Sequence, residues 1–315
     1  MKAIIIGCNG QDGTILYNLL LKKRYKILGI DKDSNRSNIK IKGFSKKINI
    51  LNRKDVFDII KKFKPDEIYH LAAFHHSAED KVLDNIELFQ KSYNINVYSL
   101  INFLEGIKRF SRKTRLFYAC SSHIFGSAKS KFQDENTPIN PSNIYGITKA
   151  EGLFICRLYR NNYSLKISTG ILYNHESHIR SPKFLSKRIV KTAIDIKNKK
   201  KNKLIIGNLN AEVDWGYAPD YVDAMYKILK LKSGDDFIIA SGKNHKVKEF
   251  VKEVFDLLGL DWKKYVKEDK KIISKKSLVL IGKSNKLKKA TGWKPTVDFK
   301  KMIKILVEKE LNNGR

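Results

Sequence analysis

Residues 3–20 read Ala3-Ile4-Ile5-Ile6-Gly7-Cys8-Asn9-Gly10-Gln11-Asp12-Gly13-Thr14-Ile15-Leu16-Tyr17-Asn18-Leu19-Leu20. The apolar run that ends at Gly7 predicts a short buried strand. Ile15, Leu16, Leu19 and Leu20 recur at helical spacing, so Thr14 to Lys23 is expected to be a helix. Gly7, Gly10 and Gly13 form G-x-x-G-x-x-G between the two. Glycines permit a tight turn and close approach of the backbone to a bound group. The helix start adds free N–H groups and a positive dipole end, which together suit a phosphate or pyrophosphate.

Outward from this unit, apolar runs alternate with amphipathic stretches. Strands are expected at Tyr25 to Asp31, Lys47 to Ile50, Glu67 to Ala72, Arg115 to Cys120 and Leu165 to Ile171. Helices are expected at Lys54 to Phe63, over a long stretch from about Val82 to Arg109, and at Ile144 to Tyr159. Such alternation implies an α/β fold with a parallel sheet covered on both faces. After Tyr173 the rhythm loosens. Helical patterns at Phe184 to Lys197, Pro219 to Lys230, Val247 to Leu257 and Phe299 to Leu311 enclose short apolar runs at Leu204 to Ile206 and Phe237 to Ala240. The division expected is a dinucleotide-binding domain over 1–173 and a smaller, mainly substrate-binding region over 174–315, from which a segment can return to the main sheet.

The chain has 315 residues, 42% of them apolar, which is a globular composition. Lys and Arg outnumber Asp and Glu by 63 to 32, a formal charge of +31. The basic residues are spread along the chain, which disfavours a nucleic-acid partner and suits a Lys-rich solvated surface. A positive field of this kind still attracts a small polyanion such as a nucleotide diphosphate. Cys8, Cys120 and Cys156 show neither a disulfide framework nor metal-ligand spacing, so a reduced, cytoplasmic setting is expected. No window is long enough for a membrane span.

Tyr145 and Lys149 stand four apart on an expected helix and so share a face. A nearby ammonium is expected to favour the phenolate and lower the tyrosine pKa. The phenol can then exchange a proton with a sugar hydroxyl during hydride transfer to or from a nicotinamide. Ser121, at the end of the fifth strand, can complete the hydrogen-bond set. Asp31, at the end of the second strand, can accept from ribose hydroxyls and repel a 2′-phosphate, which favours NAD. Arg36, Lys40 and Lys42 nearby leave NADP open.

The glycine spacing resembles that of extended short-chain dehydrogenases/reductases, and longer runs resemble the GDP-mannose 4,6-dehydratase family. They are Gly10 to Gly13 (GQDG), Pro65 to Tyr69 with Leu71 to Ala73, Gly170 to Ser177 (GILYNHES), Gly207 to Leu209, Asp214 to Gly216, Asp220 to Val222, and Gly292 to Pro295 (GWKP). The resemblance implies a Rossmann-like doubly wound parallel sheet with a smaller C-terminal α/β substrate-binding region. It implies oxidation at C4 of a nucleotide-linked hexose, loss of water across C5 and C6, and return of the hydride to C6. The expected catalytic residues are Ser121, His123, Tyr145 and Lys149. Cofactor contacts are expected from Gly7, Gly10, Gln11, Asp12 and Gly13, from Asp31, from Asn49 and Ile50, and from Leu71, Ala72 and Ala73, besides Tyr145 and Lys149. Substrate contacts are expected from His76, Ser122, Asn174, Lys183, Lys187, Arg188 and Asn208. The substrate implied is a nucleotide-diphosphate sugar, with a GDP-sugar favoured. The assembly implied is a homodimer or homotetramer formed through Val82 to Arg109 and Ile144 to Tyr159.

The sequence departs from the family pattern in five places. His123 replaces a glutamate that moves the C5 proton, Val213 replaces an arginine, and Ile273 to Leu278 replaces a run bearing an arginine and two carboxylates. Phe74 and His75 replace a glutamine and a serine, and Asp31 replaces an arginine. The change at His123 leaves a second reading, a nucleotide-sugar C4 reductase, dehydrogenase or epimerase without dehydration.

Overall fold

A computed structural model describes residues 1–37, 47–75, 83–269 and 279–313. Its strands are β1 (Lys2–Ile6), β2 (Lys26–Ile30), β3 (Arg36–Ser37), β4 (Glu67–His70), β5 (Arg115–Ser121), β6 (Phe132–Gln133) and β7 (Ile167–Leu172), then β8 (Asn174–Glu176), β9 (Leu204–Ile206), β10 (Glu212–Tyr217), β11 (Asp236–Ile239), β12 (Asn244–Lys246), β13 (Val266–Glu268) and β14 (Ile281–Gly282). Its helices are α1 (Gln11–Lys22), α2 (Arg53–Phe63), α3 (Asn85–Tyr93), α4 (Ser99–Phe110), α5 (Ile144–Tyr163), α6 (Leu185–Lys197), α7 (Ala218–Ile228), α8 (Val247–Leu257), α9 (Trp262–Tyr265), α10 (Asn285–Thr291) and α11 (Phe299–Asn313).

The main sheet has the order β11-β7-β5-β4-β1-β2-β3. Every neighbouring pair is parallel except the short antiparallel edge pair β2–β3. β1 is central, flanked by β2 and β4, and Ala3 to Ile6 are buried on both sides. A strand covered by helices on both faces has no solvent side, which is why it reads as a continuous apolar run. From β1 the chain winds outward to β2 through α1, and from β4 the other way to β5 through α4. Right-handed crossovers in opposite directions put those helices on opposite faces. The switch in direction leaves a crevice beyond the C-terminal ends of β1 and β4, where ligands of such sheets bind.

A second apolar cluster lies outside the main sheet. It joins Ile189 and Val190 of α6, Phe250 and Phe255 of α8, and Met302 and Ile303 of α11 around Trp215 of β10. Two hydrogen-bond centres knit the C-terminal part together. Asp214 accepts from Ser241 Oγ, at 2.6 Å, and from the backbone N–H groups of Ser241, Gly242 and Gly282. Asp220 accepts from Thr296 Oγ1, at 2.6 Å, and from the N–H groups of Thr296 and Val297, while its carbonyl accepts from Trp293 Nε1. Asp220 thus ties the D-Y-V run to the G-W-K-P segment, while Asp214 ties the D-W-G run to the turn after β11 and to β14.

Two expectations change. Lys47 to Ile50 is not a strand. Its backbone groups are satisfied by side chains instead: Asn49 N–H donates to Asp55, and the Ile50 and Leu51 carbonyls accept from the Asn102 amide of α4. The long helix expected from Val82 is α3 and α4 joined by a π-helical turn at Asn94–Tyr98; Val82 itself lies outside the described residues. The extra residue of a π turn re-aims side chains. Here it buries Asn96, which accepts from Phe74 N–H and donates to Thr148 Oγ1 at 3.0 Å. The run Phe237 to Ala240 does return to the main sheet, in β11. Among the described residues no helix is long and apolar enough to cross a membrane.

Candidate active site

The glycine loop is built by close approach. A Cβ on Gly13 would lie 2.1 Å from the Gly7 carbonyl oxygen, and one on Gly7 would lie 2.8 Å from the backbone N of Ala72. Gly7 also sits at φ +86°, a left-handed conformation that favours glycine. α1 therefore starts flush against the ends of β1 and β4, with its free N–H groups at the crevice.

Gln11 and Asp12 do more than border this crevice. His175, on β8, donates from Nε2 to Asp12 Oδ2 at 2.9 Å and from Nδ1 to the Tyr173 carbonyl at 2.7 Å. Both partners are acceptors, so the imidazole carries two protons and a positive charge. Its ring stacks on Tyr221 with centroids 4.6 Å apart. Gln11 donates to the His175 carbonyl and accepts from Ser177 Oγ at 2.8 Å. Burial is the largest single influence and works against both charges, but the pair's mutual attraction and hydrogen bonds together outweigh it. They raise the His175 pKa above 6.5 and lower that of Asp12 below 3.8.

The Asp31 carboxylate accepts from the N–H groups of Asn9, at 2.9 Å, and Lys32, at 2.8 Å. Arg36 stacks on Tyr17, 3.9 Å from the ring centroid, and Lys40 and Lys42 lie outside the described residues. Asp33 joins Asp31 on the same wall.

Tyr145 and Lys149 project from the first turns of α5. The buried Lys149 ammonium donates to the Ala119 carbonyl at 2.8 Å and lies 5.7 Å from the Tyr145 ring centroid. Burial pushes its pKa down to about 8. The Tyr145 phenol departs from the sequence expectation. Its pKa is raised, because burial outweighs the Ser121 hydrogen bond and the Arg180 charge that pull it down. His75 meets its ring edge-on at 5.0 Å and His123 at 5.6 Å. His123 opens onto the cavity, yet protein encloses enough of the ring for burial to lower its pKa.

These groups line one cavity of about 1040 Å³. It gathers Gly7, Gly10, Gln11, Asp12, Gly13 and Asp31 at one end and Ser121, Ser122, His123, Tyr145, Lys149 and Asn174 at the other. Asn49, Ile50, Leu71, Ala72 and Ala73 lie along its wall. Four expected substrate residues do not line it. Lys183 is exposed, Lys187 donates to the His178 carbonyl and pairs with Glu310, and Asn208 accepts from Asn210 N–H. Arg188 lines a separate, smaller depression with Thr192, Lys201 and Lys203. His76 lies outside the described residues.

Arg180 was missed. Its guanidinium covers the Phe184 ring at 3.6 Å, and Nε lies 3.4 Å from Glu176 at the cavity edge. Its place just past the N-H-E-S run, at a strand end, was the available signal.

The Asp12–His175 pair has a pH signature. The His175 contribution is fully present below pH 6.5 and is lost as pH rises through its raised folded-state value. The Asp12 contribution is lost as pH falls through its lowered value, below 3.8. Asp12→Asn should cost about 2 kcal/mol in the mildly acidic range, with the gap narrowing at alkaline pH. Urea unfolding across pH checks this; a pH-independent gap would contradict it.

Comparison with known proteins agrees with this geometry. Residues 4–306 match the family described as GDP-mannose 4,6 dehydratase. GDP-mannose 4,6 dehydratase 2 of Arabidopsis thaliana is 34% identical, over 98% of this chain and 86% of that protein. Among solved structures, dTDP-glucose 4,6-dehydratase from Bacillus anthracis in complex with NAD superposes with TM-score 0.82 at 21% identity, covering 99% of this chain and 97% of the other. RMD from Pseudomonas aeruginosa complexed with NADPH gives 0.83 at 17% identity, covering 99% of each chain. With its Rossmann sheet, glycine loop and Tyr–Lys pair in one cavity, the chain belongs to the GDP-mannose 4,6-dehydratase family of nucleotide-sugar enzymes.

Proposed function

We propose that this enzyme is a 4,6-dehydratase acting on a GDP-linked hexose of the mannose type, with NAD as its resident redox group. The observation that carries the reading is the Ser121–Tyr145–Lys149 cluster at the far end of the glycine-loop cavity in a chain of this family.

The residues present fit a dinucleotide. The cradle at Gly7 and Gly13 would be filled by any Cβ, and α1 N–H groups face it. Asp31 and Asp33 on the adenosine side support NAD over NADP, since two carboxylates disfavour an added phosphate. When bound, the nicotinamide supplies a hydride acceptor at C4 of the hexose and a donor at C6. The chain does the rest. Tyr145 takes the proton of the 4-hydroxyl as hydride leaves C4, Ser121 orients that oxygen, and the Lys149 ammonium stands beside the phenol ring. Ser122 and Asn174 hold the sugar, with His75 and Phe184 against it. Arg180 suits a diphosphate by its fork of donors. His123, in the glutamate's place, handles the C5 proton and the C6 hydroxyl. The guanosine diphosphate is supported by the family and by the Arabidopsis relative.

Incubation with GDP-mannose, offering NAD and NADP in separate reactions, should release one water and leave a keto sugar, faster with NAD. Unchanged mass at saturating enzyme would overturn this, and a C4-inverted sugar of unchanged mass would move the activity to epimerisation.

The partner proposed is a second copy of this chain. Ile86 is 72% exposed and Tyr98 56% on the α3–π–α4 stretch, and Phe154 and Leu158 are about half exposed on α5. An apolar set of this kind on two neighbouring helices supports pairing into a helical bundle. Three buried free thiols support a reduced, cytoplasmic setting. Light scattering should give a dimer or tetramer for the native chain and a folded monomer for Phe154→Glu/Leu158→Glu; a native monomer would contradict the pairing.

A further inference from the structure

Which nitrogen of His123 carries the proton decides what that ring can do, and the neighbourhood settles it. Asn143 is the N-cap of α5, and its Oδ1 accepts from Gly146 N–H at 2.8 Å. That bond fixes the amide, so the group facing His123 Nδ1, at 3.2 Å, is the Nδ2 donor. A flipped amide would stabilise a protonated Nδ1, but it would turn a donor onto Gly146 N–H and lose the cap. His123 cannot slide away, because its carbonyl lies against α5 where a Cβ on Gly146 would come within 2.6 Å. On the cavity side its ring meets Tyr145 edge-on.

We propose that Asn143 is a positioning residue that holds His123 in the Nε2–H tautomer, so that its cavity-facing nitrogen is a hydrogen-bond donor at rest and a base only in a minor form. The proposal rests on the dehydratase reading. In the elimination the C5 proton moves to Nε2, the C5–H electrons form the C5–C6 double bond, and the C6–O bond breaks. The departing hydroxide then takes the proton back from the imidazolium and leaves as water. Nε2 can accept only when its lone pair faces the cavity, which requires Nδ1–H and displacement of the Asn143 donor. The rate of elimination therefore scales with the population of that minor tautomer.

Asn143→Asp keeps an N-cap oxygen but places an acceptor at Nδ1, and Asn143→Ser keeps the cap with no amide donor. ¹⁵N NMR of the His123 side chain should show a protonated Nε2 in the native chain and a protonated Nδ1 in Asn143→Asp. In single-turnover reactions with GDP-mannose, the ratio of elimination rate to nicotinamide reduction rate should rise about tenfold in Asn143→Asp. It should rise less in Asn143→Ser. The same tautomer in native chain and Asn143→Asp would overturn the proposal, whatever the substrate. So would an unchanged ratio in a chain that does dehydrate. Nicotinamide reduction without any loss of water in all three chains, with the tautomer switching as expected, would leave tautomer control standing and overturn the dehydratase reading instead.

Discussion

The ion pair between Asp12 and His175 is the constraint on which the rest of the site depends. It joins the first turn of α1 to β8, across 163 residues of chain. Because Gln11 also bonds the His175 carbonyl of that strand and Ser177 just past it, the glycine loop and the β8 wall of the cavity are one rigid piece. Stacking on Tyr221 extends that piece to α7, whose Asp220 holds the loop before α11. A cofactor set on the loop and a sugar held beside Asn174 would keep a fixed relation to each other, as hydride transfer between them requires.

This pairing explains why the sequence was legible where it was. The runs G-Q-D-G and N-H-E-S look like separate signals, yet each supplies the hydrogen-bond partners of the other. The same holds for D-Y-V and G-W-K-P through Asp220, Trp293 and Thr296. The parallel strands of the main sheet were legible because their apolar residues are covered on both faces, whereas the exposed edge strand β3 left no such trace. Lys47 to Ile50 misled because its apolar residues serve the cavity wall and core without a ladder. The π turn around Asn96 left no periodic trace, since one added residue hardly disturbs a helical pattern over so long a stretch. Lys187 illustrates a different limit: its charge suggests a ligand, but the ion pair with Glu310 depends on a helix 123 residues away. The Tyr145 phenol shows that a pair legible by spacing does not fix its own proton affinity, because desolvation by the surrounding fold is the larger effect.

The cavity divides the chemistry between two kinds of support. In the proposed mechanism the redox half rests on Lys149, which donates to the Ala119 carbonyl of β5, and on Ser121 at the end of that strand. The proposed elimination half rests on His123, whose ring faces the cap of α5. α5 would thus carry the proton handler of one half in its first turn and, through Asn143, the orientation of the other.

Both halves are proposed to act on one bound sugar in one cycle. GDP-mannose deuterated at C4, turned over by the enzyme with its nicotinamide, should give a keto product one water lighter whose C6 methyl carries the deuterium from its own C4. Deuterium lost to added free cofactor, or retained at C4 of an unchanged hexose, would contradict it.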